Sequence, residues 1–370
     1  MIKRRVLIIH TALAPYRIDI FNYLDKIFEL HIIFLRDNLY SFKFDQRELT
    51  SRLDSSFEFL TKGININSSI IYRKNLFYSI KKFKPDIVYT HEFAAVSFYV
   101  VLNNLNKNYK HVIWTADNVL MLKKSNYFNY LRKKIFLKFV DGLTVYTDDV
   151  KKIIEKKFHI SSESIGVFPN IQKENSYTNK TSSIKNLTSI NLYKKLENYK
   201  VILFVGRLVK VKNISFLINS FISAQNKGLK AKLLIIGDGP LKVELTSMVE
   251  NNQNIILAGP IQGMELKFYY NISDLTVLPS LYEPFGAVVN ESLICGTPVL
   301  CSVNAGAKTL IKSGFNGELF NPNSNIEVLS DLIICFFKNI NKYGTGYNNE
   351  SLVIKSFNSY ADQWLPKKLK

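Results

Sequence analysis

A chain of 370 residues with 47% hydrophobic and 13% aromatic residues carries enough apolar side chain for two buried cores, which excludes general disorder. Its three cysteines, Cys295, Cys301 and Cys335, form neither a CxxC pair nor an even framework, which excludes a disulfide scaffold and fits a reducing cytosol. The net charge of +19, divided as +11 over residues 1–175 and +8 over the rest, suits nucleic acid, anionic lipid or phosphorylated small molecules, or reflects a lysine-rich composition.

In chain order, the start Met1–His10 has an apolar run of only four residues, too short for a signal peptide, and reads as a first strand. No later run reaches the length of a membrane span. Further strands are expected near His31–Leu35, Asp86–His91, His111–Thr115, Leu143–Tyr146 and Ile165–Phe168, with helices near Arg17–Phe28, Leu76–Phe83 and Ala94–Leu105. Strands alternating with helices predict an α/β domain built on a doubly wound parallel sheet, whose ligands bind at the carboxyl ends of its strands.

Three strand ends in this half are polar. The first, His10 to Arg17, contains no glycine, so Arg17 either supplies charge for a phosphate or simply begins a surface helix. The second ends at His91 and Glu92; His91 is either structural or orients an acceptor hydroxyl or donor sugar. The third carries Asp117, which either accepts a proton from an acceptor or belongs to an ordinary Asp-Asn turn. Residues 123–139 then interleave six cations with aromatic and aliphatic side chains and contain no acid. Such a helix either lies on an anionic membrane surface or presents a core stripe with a solvated basic back.

Residues 173–199, rich in Asn, Ser, Thr and Lys, read as a linker with an approach helix. A buried strand then leads to Gly206-Arg207-Leu208, with Lys212 five residues after the arginine; two cations at a strand end suit a diphosphate. Neither a GxGxxG fingerprint nor a P-loop occurs. The strand Leu275–Leu278 feeds PSLYEPFGAVVNESLICGTPV, residues 279–299. Pro284 is suited to the first position of a helix running to about Cys295, capped by Gly296. The amides of Phe285, Gly286, Ala287 and Val288 then form an anion site between Glu283 and Glu291, and both carboxylates suit hydroxyl-rich groups. On their own, two glutamates at this spacing favour the plainer reading, in which Glu283 complements the helix dipole and Glu291 is a solvated surface residue.

This stretch resembles the C-terminal signature of family 4 retaining glycosyltransferases (glycosyl transferases group 1). Their motif is P-S-x-x-E-P-F-G-x-x-x-x-E-x-x-x-x-G-x-P-V, matched here without a gap. The resemblance implies the GT-B fold: two Rossmann-like, doubly wound parallel-sheet domains facing a cleft. It covers the second domain tightly and the first loosely. It assigns the donor sugar to Glu283, the ribose to Glu291 and the donor diphosphate to Arg207 and Lys212, which stand in the family's G-R-L-x-x-x-K pattern. The end of Asn254–Gly259 would hold the nucleobase. The His91 loop resembles the family's acceptor-side histidine loop, and Val167-Phe168-Pro169-Asn170 its V-x-P-N strand end. Where this chain has no glycine after its first strand, many members have a glycine-rich loop.

The expected domains are residues 1–172 on the acceptor side, completed by a C-terminal helix over 350–370, and residues 200–349 for the donor. Glu283, His91, Arg207 and Lys212 are the expected catalytic set, with Arg17 and Asp117 on the acceptor side. The resemblance further implies transfer of a hexose or N-acetylhexosamine with retention, no cofactor and no metal; the sequence has no Asp-x-Asp triplet. The basic first domain suggests a glycan or lipid-linked acceptor in bacterial surface polysaccharide assembly, at the cytoplasmic face of the inner membrane. The alternatives are a nucleotide-sugar epimerase of the same fold and, below it, a basic nucleic-acid-binding protein. The latter lacks any zinc-finger or RNP module, so nucleic acid is not an expected partner.

Overall fold

The computed structural model describes residues 3–38, 44–65, 71–174, 187–343 and 350–370. It divides into two units, Met1–Gln172 with Phe357–Lys370, and Lys173–Ser356.

In unit 1, β1 (Arg5–His10) carries a continuous apolar run, Val6–Ile9, as a strand buried on both faces requires. It is followed by β2 (Glu29–Phe34), β3 (Ser56–Phe59), a small antiparallel hairpin of β4 (Gly63–Asn65) and β5 (Ile71–Arg73), then β6 (Ile87–His91), β7 (Lys110–Trp114), β8 (Gly142–Val145) and β9 (Ile165–Val167). Seven of these form one parallel sheet in the order β3-β2-β1-β6-β7-β8-β9. Strand β3 and the hairpin were not expected. Both are short and half exposed, so neither carries the continuous apolar run that marks the inner strands.

The chain end completes this unit. Of the helix expected over residues 350–370, only Phe357–Ala361 is α-helical. Residues before it bond to unit 2 instead: the Leu352 amide donates to the Leu293 carbonyl (2.7 Å), and Asn316 Nδ2 donates to the Leu352 carbonyl (3.1 Å). Beyond the helix, Trp364 stacks on Tyr89 with ring centroids 4.0 Å apart, and its carbonyl accepts from Thr144 Oγ1 (2.8 Å). Gly166 makes this close approach possible, because a Cβ there would lie 2.2 Å from the Trp364 carbonyl oxygen.

Unit 2 contains β10 (Lys200–Val205), β11 (Ala231–Ile236), β12 (Ile255–Gly259), β13 (Leu275–Leu278), β14 (Val299–Ser302) and β15 (Gly317–Phe320). These pair in parallel in the order β12-β11-β10-β13-β14-β15. The helix Leu187–Leu196 belongs to this unit rather than to a free linker, since Leu192 and Leu196 pack with Val201 and Leu203. The linker residues 175–186 lie outside the described residues. Both sheets reverse direction beside their first strand, at β1/β6 and at β10/β13. Those switch points open at the carboxyl ends of the strands, where doubly wound sheets bind ligands. Cys295 and Cys301 are buried.

Candidate active site

The β10/β13 switch point gathers most of the donor residues expected from sequence. From the end of β10, Gly206 leads to the exposed Arg207 and, through a 3-10 turn at Lys210–Lys212, to the largely buried Lys212. From the end of β13 comes the loop bearing Glu283. Backbone bonds hold that loop on both sides. Leu281 N donates to the Val211 carbonyl (2.9 Å), Glu283 N to the Asn304 carbonyl (3.3 Å), and Ala307 N to the Phe285 carbonyl (2.7 Å). Gly306 packs against this loop so closely that a Cβ would sit 2.4 Å from the Pro284 oxygen. The result is an ion pair between Lys212 Nζ and Glu283 Oε2, residues 71 apart in the chain.

The helix after Glu283 begins later than the proline predicts. It spans Ala287–Ile294, with Gly286 at its N-cap. Pro284 lies in the loop because Glu283 is bridged to Ala305, and the chain turns into the helix only at Gly286, whose φ is +99°. That left-handed conformation favours glycine, and a Cβ there would also lie 2.8 Å from Leu278 Cδ2. Phe285 is accordingly a core side chain, and the amides that open the helix are those after Gly286. Glu291 stands about one turn into the helix rather than two. Its Oε2 accepts a hydrogen bond from the Tyr270 hydroxyl (3.0 Å), and Tyr270 is itself buried. Tyr270 was missed in the sequence: it sits in a helix, Gly263–Ile272, whose aromatic residues read as ordinary core.

The residues expected on the acceptor side lie in unit 1, at or after the carboxyl ends of β1, β6 and β7. Arg17, the third residue of the helix Pro15–Ile27, is 2% exposed, which removes the surface-helix reading. Its guanidinium lies 4.2 Å from the Trp114 ring centroid, and Nη2 donates to the Tyr146 hydroxyl (2.6 Å). Nε and Nη1 are buried with no hydrogen-bond partner among the described residues. A buried cation with unused donors favours an anionic ligand. Next to it, the His91 and His10 rings pack 4.4 Å apart. Burial first, and Arg17 second, hold His91 down to about 3, so at neutral pH it is an uncharged ring suited to orienting a hydroxyl.

Asp117 is not a free base. It is buried and ion-paired with Lys133, which comes from the helix Tyr127–Phe136. Lys133 therefore points into the unit and is not part of a solvated basic face. Beside this pair stands Glu92, which carried no role in the sequence reading. Its backbone is left-handed (φ +65°), and its carboxylate accepts from the Ala116 amide (2.7 Å) and the Thr115 hydroxyl (2.9 Å). Burial first and the charge of Asp117 second push Glu92 from about 4.5 up to about 7. A raised carboxyl contributes stability below its unfolded value, and that contribution is lost as pH rises through the folded value. Wild type should therefore lose stability relative to Glu92→Gln between about pH 4.5 and 7. Parallel melts of both proteins across that range measure it, and a constant difference in Tm would contradict the assignment.

The face of the Tyr127–Phe136 helix formed by Tyr127, Leu131 and Ile135 is exposed, so it is not the core stripe. Among the described residues, no helix is long and apolar enough to cross a membrane, and no cluster of His, Cys, Asp and Glu has metal-ligand geometry.

Two parallel doubly wound sheets, with a cation–carboxylate pair and a helix N-terminus at the second switch point, define a two-unit doubly wound α/β protein. Residues 188–345 match the family model "Glycosyl transferases group 1". Over those residues the chain is similar to the group 1 glycosyltransferases, and its fold is GT-B. It is 32% identical over 236 residues to an uncharacterized glycosyltransferase of Methanocaldococcus jannaschii, covering 60% of this chain and 56% of that protein. It is 22% identical over 278 residues to the alpha-monoglucosyldiacylglycerol synthase of Acholeplasma laidlawii, covering 70% and 68%. The chain thus spans little more than half of the first of these relatives. In fold it is similar to HepE of Anabaena, solved in complex with UDP, with a TM-score of 0.72 at 16% identity over 98% of this chain and 96% of that one.

Proposed function

We propose that this chain transfers a hexose or N-acetylhexosamine from a nucleotide-diphosphate sugar, bound on unit 2, to a glycan or lipid-linked acceptor, with retention of anomeric configuration. The observation that carries the reading is the pairing of Lys212 with Glu283 at the β10/β13 switch point, beside the helix that bears Glu291. Lys212, Arg207 and the amides of Ala287 and Val288 take the diphosphate. Glu291, oriented by Tyr270, accepts hydrogen bonds from the ribose, and Glu283 from the sugar. The backbone at the end of β12 takes the base. UDP bound to HepE supports a nucleotide donor, and the name of the Acholeplasma synthase supports a lipid acceptor.

In the proposed reaction an acceptor hydroxyl attacks the anomeric carbon on the face from which the diphosphate departs. The new C–O bond forms as the bond to the diphosphate breaks, and the hydroxyl proton passes to the leaving phosphate oxygen. Lys212, Arg207 and the helix amides stabilise the charge that develops there, so the scheme needs no metal. On unit 1, neutral His91 orients the hydroxyl, and Arg17 answers an anionic part of a substrate. The exposed basic-aromatic helix supports action at an anionic membrane surface, as in bacterial lipopolysaccharide, O-antigen or capsule assembly at the cytoplasmic face of the inner membrane.

The test is to incubate the protein with UDP-, GDP- and ADP-sugars and a lipid extract. Nucleoside diphosphate should be released only when acceptor is present, and NMR of the product should show the donor's anomeric configuration. An inverted product would overturn retention. Conversion of the donor with no acceptor would overturn transfer in favour of epimerisation.

A further inference from the structure

Unit 1 contains a groove of about 1080 Å³ to which none of the roles above assigns an occupant. Small-molecule pockets are roughly 300–1,000 Å³, so this one has room for a long ligand. One wall is the helix Ala95–Asn103 and the residues just after it, which present Phe98, Leu102 and Leu105. The opposite wall, from the Tyr127–Phe136 helix and its exit, presents Ile135 and Phe139. All five side chains are exposed, Leu105 to 65%. Exposed apolar side chains this numerous, gathered along one groove, mark a binding surface.

The polar groups of the groove fall into two kinds. Glu92 and the Asp117–Lys133 pair line it where the β6 and β7 strand ends approach, and their carboxylates suit hydroxyl groups. Lys124 and Arg132 line the basic segment, which carries no acid over residues 123–139. A second copy of this chain is a poor occupant, because it would bring the same basic segment against this one.

We infer that the groove between the Ala95–Asn103 and Tyr127–Phe136 helices holds one hydrocarbon chain of an anionic, hydroxyl-bearing lipid. Phe98, Leu102, Leu105, Ile135 and Phe139 grip the chain, Lys124 and Arg132 meet the phosphate, and Glu92 and Asp117 receive the hydroxylated head. This rests on the transferase reading insofar as that lipid is the acceptor. It differs from adsorption to a bilayer, because a single chain leaves the membrane and enters the protein.

The experiment is calorimetric titration of the full chain with dodecyl phosphate below its micellar concentration, with butyl phosphate as the short-chain control. Dodecyl phosphate should bind with one-to-one stoichiometry, and butyl phosphate at least about 10-fold more weakly. Leu102→Asp, at an exposed position that the fold does not need, should weaken dodecyl phosphate about 10-fold or more with an unchanged melting temperature. Arg132→Gln should weaken dodecyl phosphate but not dodecyl glucoside. Equal affinity for the two phosphates, unchanged binding by Leu102→Asp, or binding to anionic vesicles without binding to the monomeric amphiphile would each overturn the inference. Stabilisation by nucleotide is read separately. If it is absent while chain-dependent binding persists, the donor reading fails and the groove assignment stands.

Discussion

Lys212→Met should reduce turnover by roughly 10²–10³-fold, the usual cost of removing one preorganised charge from a developing oxyanion. Two effects combine at this position. In the proposed transfer the leaving diphosphate loses a cation, and Glu283, largely buried beside Lys212, loses its ion-pair partner. An unpaired carboxylate there would repel the donor phosphates, so donor affinity should fall together with kcat. Lys212→Arg should rescue only in part, because a planar guanidinium does not reproduce a compact ammonium in a pair this closely enclosed. The fold should survive, since the Glu283 loop is held by backbone bonds to Val211, Asn304 and Ala307 that do not involve the lysine side chain. Initial rates of nucleoside diphosphate release, set beside a thermal melt, separate the two effects. A kcat within about threefold of wild type in a well-folded variant would remove Lys212 from the machinery.

Trp364→Ala should be the most destabilising single truncation in unit 1. Trp364 is 1% exposed, stacks on Tyr89 and meets the Trp114 ring edge-on at 5.9 Å. Truncating a buried tryptophan costs about 3–5 kcal/mol through lost transfer energy and the cavity left behind. In a unit of this size that is a fall of roughly 10 °C in Tm. The effect should reach the site, because Trp114 also carries the Arg17 guanidinium on its ring. Unit 2 should be spared, since its own core is built from other residues, such as Phe204, Leu217 and Phe221. Denaturant melts followed by tryptophan fluorescence report directly on unit 1, where both tryptophans lie. A loss below about 1 kcal/mol would mean that the terminal segment is only loosely docked.

The parallel sheets were legible because their inner strands, such as Val6–Ile9 and Val201–Val205, are uninterrupted apolar runs between turn residues. The β3 edge and the hairpin lack such runs, and their pairing depends on neighbours that local sequence does not reveal. Pro284 misled for a definite reason: its fixed φ suits a helix start, but the bridge from Glu283 to Ala305 holds it in the loop. Helical periodicity over Glu350–Ser356 was overridden by bonds to Leu293 and Asn316.

At the candidate site, residues next to a strand end were accessible to reading, as with Arg207, Lys212, Glu283 and His91. Residues whose role is set by a partner distant in sequence were not. Tyr270 orients Glu291 from another helix, and Lys133, which looked like one more surface cation, reaches back to Asp117. Glu92 left one signal, a charged residue directly after the strand-end histidine, but its left-handed backbone and its place beside Asp117 appear only in the fold.

The central claim, a nucleotide-sugar site on unit 2, is tested most directly by a thermal-shift panel of UDP, GDP and ADP on wild type and on Glu291→Ala. A ligand at about a hundred times its dissociation constant adds roughly 2.7 kcal/mol of stability. One of the three nucleotides should raise the melting temperature of the wild type, and the Glu291→Ala variant, folded as before, should lose most of that shift. Folded wild-type protein that no nucleotide stabilises, or an undiminished shift in the variant, would contradict the account.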